Sequence, residues 1–479
     1  MKEKNLKQNM LINGIRKGFS ILFPLITFPY ISRVLQVDNV GVINYTNSII
    51  SYFVLIATLG INTYAVREGS QYRNDKEKMS KFASEIFTIN LFSSSFAILL
   101  LIACIYCLPQ LKEYSIILGI SSLAIPISLI GCEWLLSIYE EYTYLAIRYI
   151  LMHFFAIICM FLFVKTPGDC VKYIAITLLA NSGAQLLNVP KIYRLGCRIR
   201  IRINIRHLAP VLVLFASNIA TVIFTNSDMT ILGMMCGSHE VGLYSVSVKI
   251  YNLLVEIIGA VIISIIPRIS YYIGVDKKTE VYNILKESNE IILTLIIPAA
   301  VGVIVLSRQI IEIIAGSEYL GASSSLSILA IAFVFCIIGY FWGDGFLIPL
   351  KKEKLVLFST VIAALINILF NFIMIPIFKR DATAFTTLLS QIVSTIILLR
   401  FVSNEGYNLR KLYQILIKII PGSLTVYFIC KGTILFVENT ISQVITSVTL
   451  SIIAYFIIEM FLKNDAVLSI YYSIKNALF

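Results

Sequence analysis

The chain has 479 residues, 58% of them hydrophobic and only 14% charged, with a formal net charge of +12 and a mean hydropathy of +0.86. Soluble domains carry about 25% charged residues, so a water-soluble fold of this size is excluded. Crossing the hydrocarbon takes about 20 apolar residues of helix; stretches of that length recur throughout, and the class that fits is an all-α, polytopic integral membrane protein.

Fourteen spans are expected, at residues 10–32, 41–66, 82–107, 114–138, 143–164, 171–194, 209–235, 240–272, 284–306, 319–343, 352–378, 382–402, 411–432 and 441–462. The basic N-terminus runs into the first apolar segment as a signal peptide would. That segment continues through Phe23-Pro-Leu-Ile-Thr-Phe-Pro-Tyr30 to Arg33 with no small-x-small cleavage site, so a retained first span is expected. Prolines such as Pro24, Pro29, Pro267, Pro298 and Pro376 fall inside spans or at their ends, where packed helices tolerate kinks. The nine cysteines lie mostly in apolar runs, and the Cys104/Cys107 pair has no second pair or nearby histidine to complete a metal site. No metal and no cofactor are expected.

Loop charge sets the orientation. Of the 39 lysines and arginines, eight (Arg33, Lys112, Lys165, Lys172, Arg308, Lys379, Arg380 and Lys431) fall on the side opposite the N-terminus, and Lys249 alone is assigned to the membrane interior rather than to either side. The rest share the N-terminal side, so both termini are expected in the cytoplasm. The positive charge is thus a topology signal and does not require nucleic acid; the basic stretch 191–206 can also touch anionic lipid.

A gap-free shift of 201 residues aligns Val40-Gly41 with Val241-Gly242, Arg67 with Arg268, and Asp75-Lys76 with Asp276-Lys277; Ile49, Val54, Ile56 and Ile61 also recur. The shift relates span two to span eight, an even step that preserves direction, so the repeats are parallel. The expected organisation is two pseudo-symmetric six-helix lobes, 1–205 and 206–405, followed by a 406–479 segment with two appended spans and a cytoplasmic tail.

Charged and amide residues at membrane depth are the functional candidates. Lys249 and Glu256 sit seven residues apart on one helical face, and Asp228 lies at similar depth in the preceding span. A charge there costs about 3 kcal/mol or more unless it is paired or faces water. One reading is a structural Lys249–Asp228 ion pair. The other is a polar cavity in which the ammonium meets a phosphate and Glu256 or Asp228 takes a coupling proton. Arg16 and Arg33 begin and end the first span, as cavity residues or as side chains reaching the headgroups; Arg148 has the same two readings. Glu133 lies too deep for a headgroup contact and is expected to line the cavity. Asn44 and Asn47 are candidates for sugar hydroxyls, although most buried amides join helices. His153, His207 and His239 are expected as packed or interfacial residues. No nucleophile–base pair, metal cluster or phosphate loop is present in the sequence, so no enzyme activity is expected.

These residues carry a resemblance. Asn13, Phe23-Pro-Leu-Ile-Thr-Phe-Pro-Tyr-Ile-Ser-Arg33, Val40-Gly41, Leu59-Gly-Ile61 and Arg67-Glu68 resemble the start of O-antigen and capsule repeat-unit flippases of the Wzx type. Asp228, Ile231-Leu-Gly233, Glu240-Val-Gly-Leu-Tyr-Ser245, Lys249 and Ile266-Pro-Arg-Ile-Ser270 extend the likeness into the second half. The resemblance implies the fold of the multidrug/oligosaccharidyl-lipid/polysaccharide exporter superfamily (MATE/MOP-like). It also implies transfer of an undecaprenyl-diphosphate-linked oligosaccharide across the bacterial plasma membrane, for O-antigen, capsule or exopolysaccharide synthesis. Membrane lipids and polysaccharide polymerase machinery would be partners, with Pro29, Tyr30, Arg33, Asp228, Lys249 and Arg16 as family-like positions. Lipid II flippases of the superfamily carry denser arginines in their first two spans. A cation-coupled drug exporter would instead depend on cavity carboxylates and dispense with Lys249. A membrane polymerase or ligase would need a large outer loop, and none here exceeds about fifteen residues. A structural scaffold without a transported substrate is the remaining reading.

Overall fold

A computed structural model describes residues 6–407 and 410–468. The tail beyond residue 468 and the side chains of Asn13 and Lys17 lie outside the described residues. Among the described residues the regular structure is entirely helical. Eleven helices among the described residues are long and apolar enough to cross a membrane, and a shorter apolar stretch covers Ser115–Gly131.

Two of the long helices are each a pair of passes. Leu6–Thr58 breaks at Gln36 (φ 61°, ψ 176°), and Glu353–Asn404 breaks at Lys379 (φ 51°, ψ −131°). A left-handed φ at a residue with a Cβ is strained, and each break falls where the sequence separates two expected spans. Counting each as two passes, and Ser115–Gly131 as one, makes the architecture consistent with fourteen crossings. Buried amides and hydroxyls hold the second pair of limbs together: Thr386 Oγ1 donates to Asn371 Oδ1 at 2.6 Å, and Asn371 Nδ2 donates to Asn367 Oδ1 at 3.1 Å. Asn371 thus joins the two limbs, with Asn367 one turn before it on the same limb accepting its amide.

Contacts gather the chain into two compact units, Met1–Gly242 and Leu243–Phe479. In the first, the Leu208–Cys236 helix lies along the second limb of Leu6–Thr58. Gly233 takes the Tyr45 ring where any side chain would collide, and Thr230 Oγ1 meets Ser48 Oγ at 2.9 Å and Tyr52 Oη at 3.2 Å. These contacts hold the Leu208–Cys236 helix in the first compact unit. In the second unit, the two C-terminal helices dock on Lys278–Val305, where Tyr455 Oη donates to the Thr294 carbonyl at 2.8 Å.

The repeat is visible as a reciprocal crossing inside the first unit. A Cβ on Gly41 would strike the Ser238 carbonyl, and one on Gly242 would strike the Val37 carbonyl. Positions 41 and 242 are related by the 201-residue shift, and so are 37 and 238. Asp38 and His239 complete the set, with Nδ1 to Oδ1 2.9 Å. Only glycine permits this backbone approach, which gives the Val-Gly signature its physical reason.

A buried cluster built on Ile61, Met79, Phe82, Trp134 and Leu135 organises the N-terminal half of the first unit. The Lys76–Cys107 helix beside it is capped by Asp75, whose Oδ1 accepts from the backbone of Glu77 (3.1 Å) and Lys78 (3.0 Å). Those bonds, that from Lys78 foremost, hold the carboxyl below its usual range.

Candidate functional site

A polar cavity in the first unit has a volume of about 380 Å³, with Arg16, Glu133, Arg148, Tyr149, Asn62, Asn90, Asn181 and Gln185 among its lining residues. Its charged centre is assembled from three separate segments. Arg16 comes from the first limb of Leu6–Thr58 and Arg148 from Tyr142–Phe163, while Glu133 opens the short helix Glu133–Ile138. The residue before it, Cys132, is left-handed (φ 38°, ψ 49°), and this bend separates the Glu133–Ile138 helix from the preceding Ala124–Gly131 helix.

Glu133 is shared. Its Oε2 accepts from Arg148 Nη2 at 2.8 Å and its Oε1 from Arg16 Nη2 at 3.2 Å. The Arg148 side chain is 4% exposed, and its other terminal nitrogen donates to Asn188 Oδ1. Asn188 Nδ2 in turn donates to the Gly131 carbonyl at 2.8 Å. This buried guanidinium is therefore a fixed post, because a charge removed from water must be paired and hydrogen-bonded to be tolerated. Arg16 is more open, with a 31% exposed side chain, and stands over the Tyr149 ring at 5.3 Å. Tyr149 stacks on His153, whose Nδ1 lies 2.9 Å from the Tyr149 carbonyl and whose Nε2 lies 3.2 Å from Asn181 Oδ1.

Two guanidiniums against one carboxylate leave a surplus positive charge, bordered by amides and an aromatic face. In a low-dielectric surrounding such a surplus attracts an anion strongly, and arginine forks match phosphate oxygens in geometry. The amide rim supplies donors and acceptors for hydroxyls.

The sequence candidates separate in the structure. Arg16 joins Glu133 and Arg148 in the cavity. Arg33 is exposed and Nη1 donates to the Pro29 carbonyl at 2.6 Å, on its own helix turn. Asn44 Nδ2 donates to the Val40 carbonyl at 2.8 Å, and Asn47 is exposed. Asp228 is half-buried in the first unit, whereas Lys249, half-buried, and Glu256, exposed, belong to the second. The three histidines are packed or paired side chains, and no metal-ligating cluster occurs among the described residues. Sequence reasoning missed Asn188 and the cluster at the start of the Lys76–Cys107 helix, where the buried Glu85 meets His207 Nε2 at 3.0 Å and Tyr64 Oη meets His207 Nδ1 at 2.7 Å. The available signal was Glu85 itself, an acid set into an apolar run.

Comparison with known proteins agrees with this architecture. Residues 6–273 match the family model described as polysaccharide biosynthesis protein, and residues 214–373 match the MatE model. An Escherichia coli (strain K12) protein named "Putative O-antigen transporter" is 23% identical over 84% of this chain and 97% of its own length. The "Probable low-salt glycan biosynthesis flippase Agl15" of Haloferax volcanii is 27% identical over 39% of this chain and 40% of its own. A solved structure, the lipid II flippase MurJ in an inward closed conformation, superposes with a TM-score of 0.73 at 20% identity, over 95% of this chain and 99% of that one. At that identity the superposition establishes the fold.

Proposed function

This chain belongs to the polysaccharide biosynthesis protein family, and we propose that within it the chain is a flippase for polyprenyl-diphosphate-linked oligosaccharides. The observation that carries the reading is the Arg16–Glu133–Arg148 cluster: a fixed buried arginine, a more open arginine, and a single carboxylate between them. A diphosphate entering the cavity finds Arg16 ready to turn from Glu133 towards it while Arg148 keeps the carboxylate satisfied. The sugar head then meets the amide rim of Asn62, Asn90, Asn181 and Gln185. The prenyl tail needs no polar path. It can stay in the surrounding acyl chains, which are as apolar as the tail itself.

In this reading Lys249 of the second unit is a further phosphate-binding cation with Glu256 as a site for a coupling proton, and Asp228 of the first unit is the other candidate for that proton. Loop charge supports a plasma-membrane orientation with both termini cytoplasmic, and a polymerase that consumes the delivered units would be the working partner. The drug-exporter alternative expects carboxylates to dominate the cavity, and here arginines outnumber them.

The test is direct. In liposomes holding the purified chain and a lipid-linked oligosaccharide, the fraction of sugar accessible to an external glycosidase is followed with time. Transfer that depends on the diphosphate and falls with Arg16→Gln supports the reading. Equal accessibility with and without protein refutes it.

A further inference from the structure

The segment joining the two repeats carries arginine and isoleucine in strict alternation: Arg198, Ile199, Arg200, Ile201, Arg202, Ile203, then Asn204, Ile205 and Arg206. It does not hang free. The backbone N–H of Arg198 donates to Ser80 Oγ at 3.2 Å, that of Arg200 to Ser84 Oγ at 3.0 Å, and that of Arg202 to Thr88 Oγ1 at 2.8 Å. Four helix residues rise about 6 Å and two extended residues span about 6.6 Å. An extended strap therefore keeps step with one stripe of the Lys76–Cys107 helix. Its far end is tied down by the buried Glu85–His207–Tyr64 cluster, and Glu85 Oε1 also takes Arg202 Nε at 3.3 Å.

The strap climbs the helix from its charged start, Lys76-Glu-Lys-Met-Ser-Lys81, into its apolar part. Arg198, Arg200 and Arg206 stay exposed along it. Where it ends, Ile203 and Ile205 join Leu59, Phe92, Phe96 and Phe215 around an apolar pocket of about 560 Å³. Ile201, Ile203 and Ile205 are 72%, 71% and 74% exposed, a costly arrangement in water and a natural one against acyl chains. Cations along the strap, with an apolar pocket extending beyond the Arg202–Thr88 bond, offer a charged surface beside an apolar one, as a phospholipid headgroup and acyl chain require.

We propose that this strap and pocket form a binding site for an anionic diacyl phospholipid. The lipid phosphate lies on Arg200, Arg202 and Arg206, and one acyl chain enters the pocket beside Phe92 and Phe96. The occupant is a membrane lipid rather than the transported molecule, since the arginines sit on an anchored external strap and not in the charged cavity. The inference stands apart from the flippase reading and survives if that reading fails.

The experiment is native mass spectrometry of the purified full-length chain titrated with palmitoyl-oleoyl phosphatidylglycerol or the matching phosphatidylcholine. Each basic side chain beside an anionic headgroup is worth about fivefold in affinity, so the combined variant Arg200→Gln/Arg206→Gln should weaken phosphatidylglycerol binding roughly thirtyfold. Its melting temperature and phosphatidylcholine binding should not move, because Arg202, which carries the contact to Glu85, is left in place. Arg200→Lys/Arg206→Lys should retain most of the affinity, and dihexanoyl phosphatidylglycerol, too short to fill the pocket, should lose it. Equal binding of the two long-chain lipids by the unaltered chain would overturn the proposal, as would an unaffected Gln variant. Displacement of phosphatidylglycerol by inorganic phosphate would reassign the site to a bare anion, and displacement by undecaprenyl phosphate at equal concentration would reassign it to the carried lipid; either result overturns it.

Discussion

Replacing Arg16 with glutamine separates a transport role for the charged cavity from a purely structural one. The Arg16–Glu133 pair is partly open, with side chains 31% and 26% exposed, at 3.2 Å. Ion pairs of that exposure contribute about 0–1 kcal/mol to stability. Glu133 keeps Arg148 at 2.8 Å, and Arg148 keeps Asn188, so Arg16→Gln leaves no buried charge unmatched and the fold should hold. What disappears is the surplus cation. A hydrogen bond between a charged donor and a phosphate is worth about 1.5–3 kcal/mol, which corresponds to a loss of roughly tenfold to a hundredfold in transport. Glu133→Gln acts in the opposite way. It strands the buried Arg148, and breaking a buried pair costs about 3–5 kcal/mol, so protein should be lost from the membrane. The assay pairs surface polysaccharide with membrane protein level in cells whose only copy carries the variant. Full polysaccharide with Arg16→Gln at normal protein level would refute the role of the surplus charge. Loss of both polysaccharide and protein with Arg16→Gln would refute the division between an open and a fixed arginine.

Lys249→Ala should abolish surface polysaccharide at normal protein level and Lys249→Arg should retain some; unchanged polysaccharide with alanine would remove the phosphate role of this lysine. Gly41→Ala or Gly242→Ala should destabilise the crossing by about 1–3 kcal/mol, the usual cost of overpacking; melting temperatures of the purified variants in detergent check it, and unshifted transitions would mean the helices separate freely. His207→Ala leaves the buried Glu85 and the Tyr64 hydroxyl each short of a partner and should cost about 1–3 kcal/mol on the same measurement. Asp75→Ala removes a helix cap whose carboxyl titrates below its unfolded value. The stability it contributes is therefore present above the unfolded carboxylate range and fades as pH falls through the folded value. The variant and the unaltered chain should melt apart at neutral pH and converge in acid; a constant gap would count against the cap.

The membrane class, the all-helical fold, the approximate edges of the passes and the repeat were legible in the sequence, because each follows from local hydrophobic length or from residues recurring at a fixed shift. Lipid imposes helix on every buried backbone, so apolar length alone fixes secondary structure here. The Val-Gly signature could also be read, and its cause is the crossing in which two glycines each admit the other strand of backbone. Arg16, Glu133 and Arg148 could each be suspected from depth.

Their convergence could not be read. Arg16 is more than a hundred residues of chain from both Glu133 and Arg148, and only tertiary packing, with Arg148 anchored by Asn188, brings the two arginines to a single carboxylate. The strap at 198–206 shows the same division. Its alternation is written in the sequence, but the match of its rise to a stripe of Ser80, Ser84 and Thr88 exists only once the helix and the strap lie side by side. Charge in a membrane takes its meaning from what it faces, and that is a property of packing between distant segments rather than of the segments themselves.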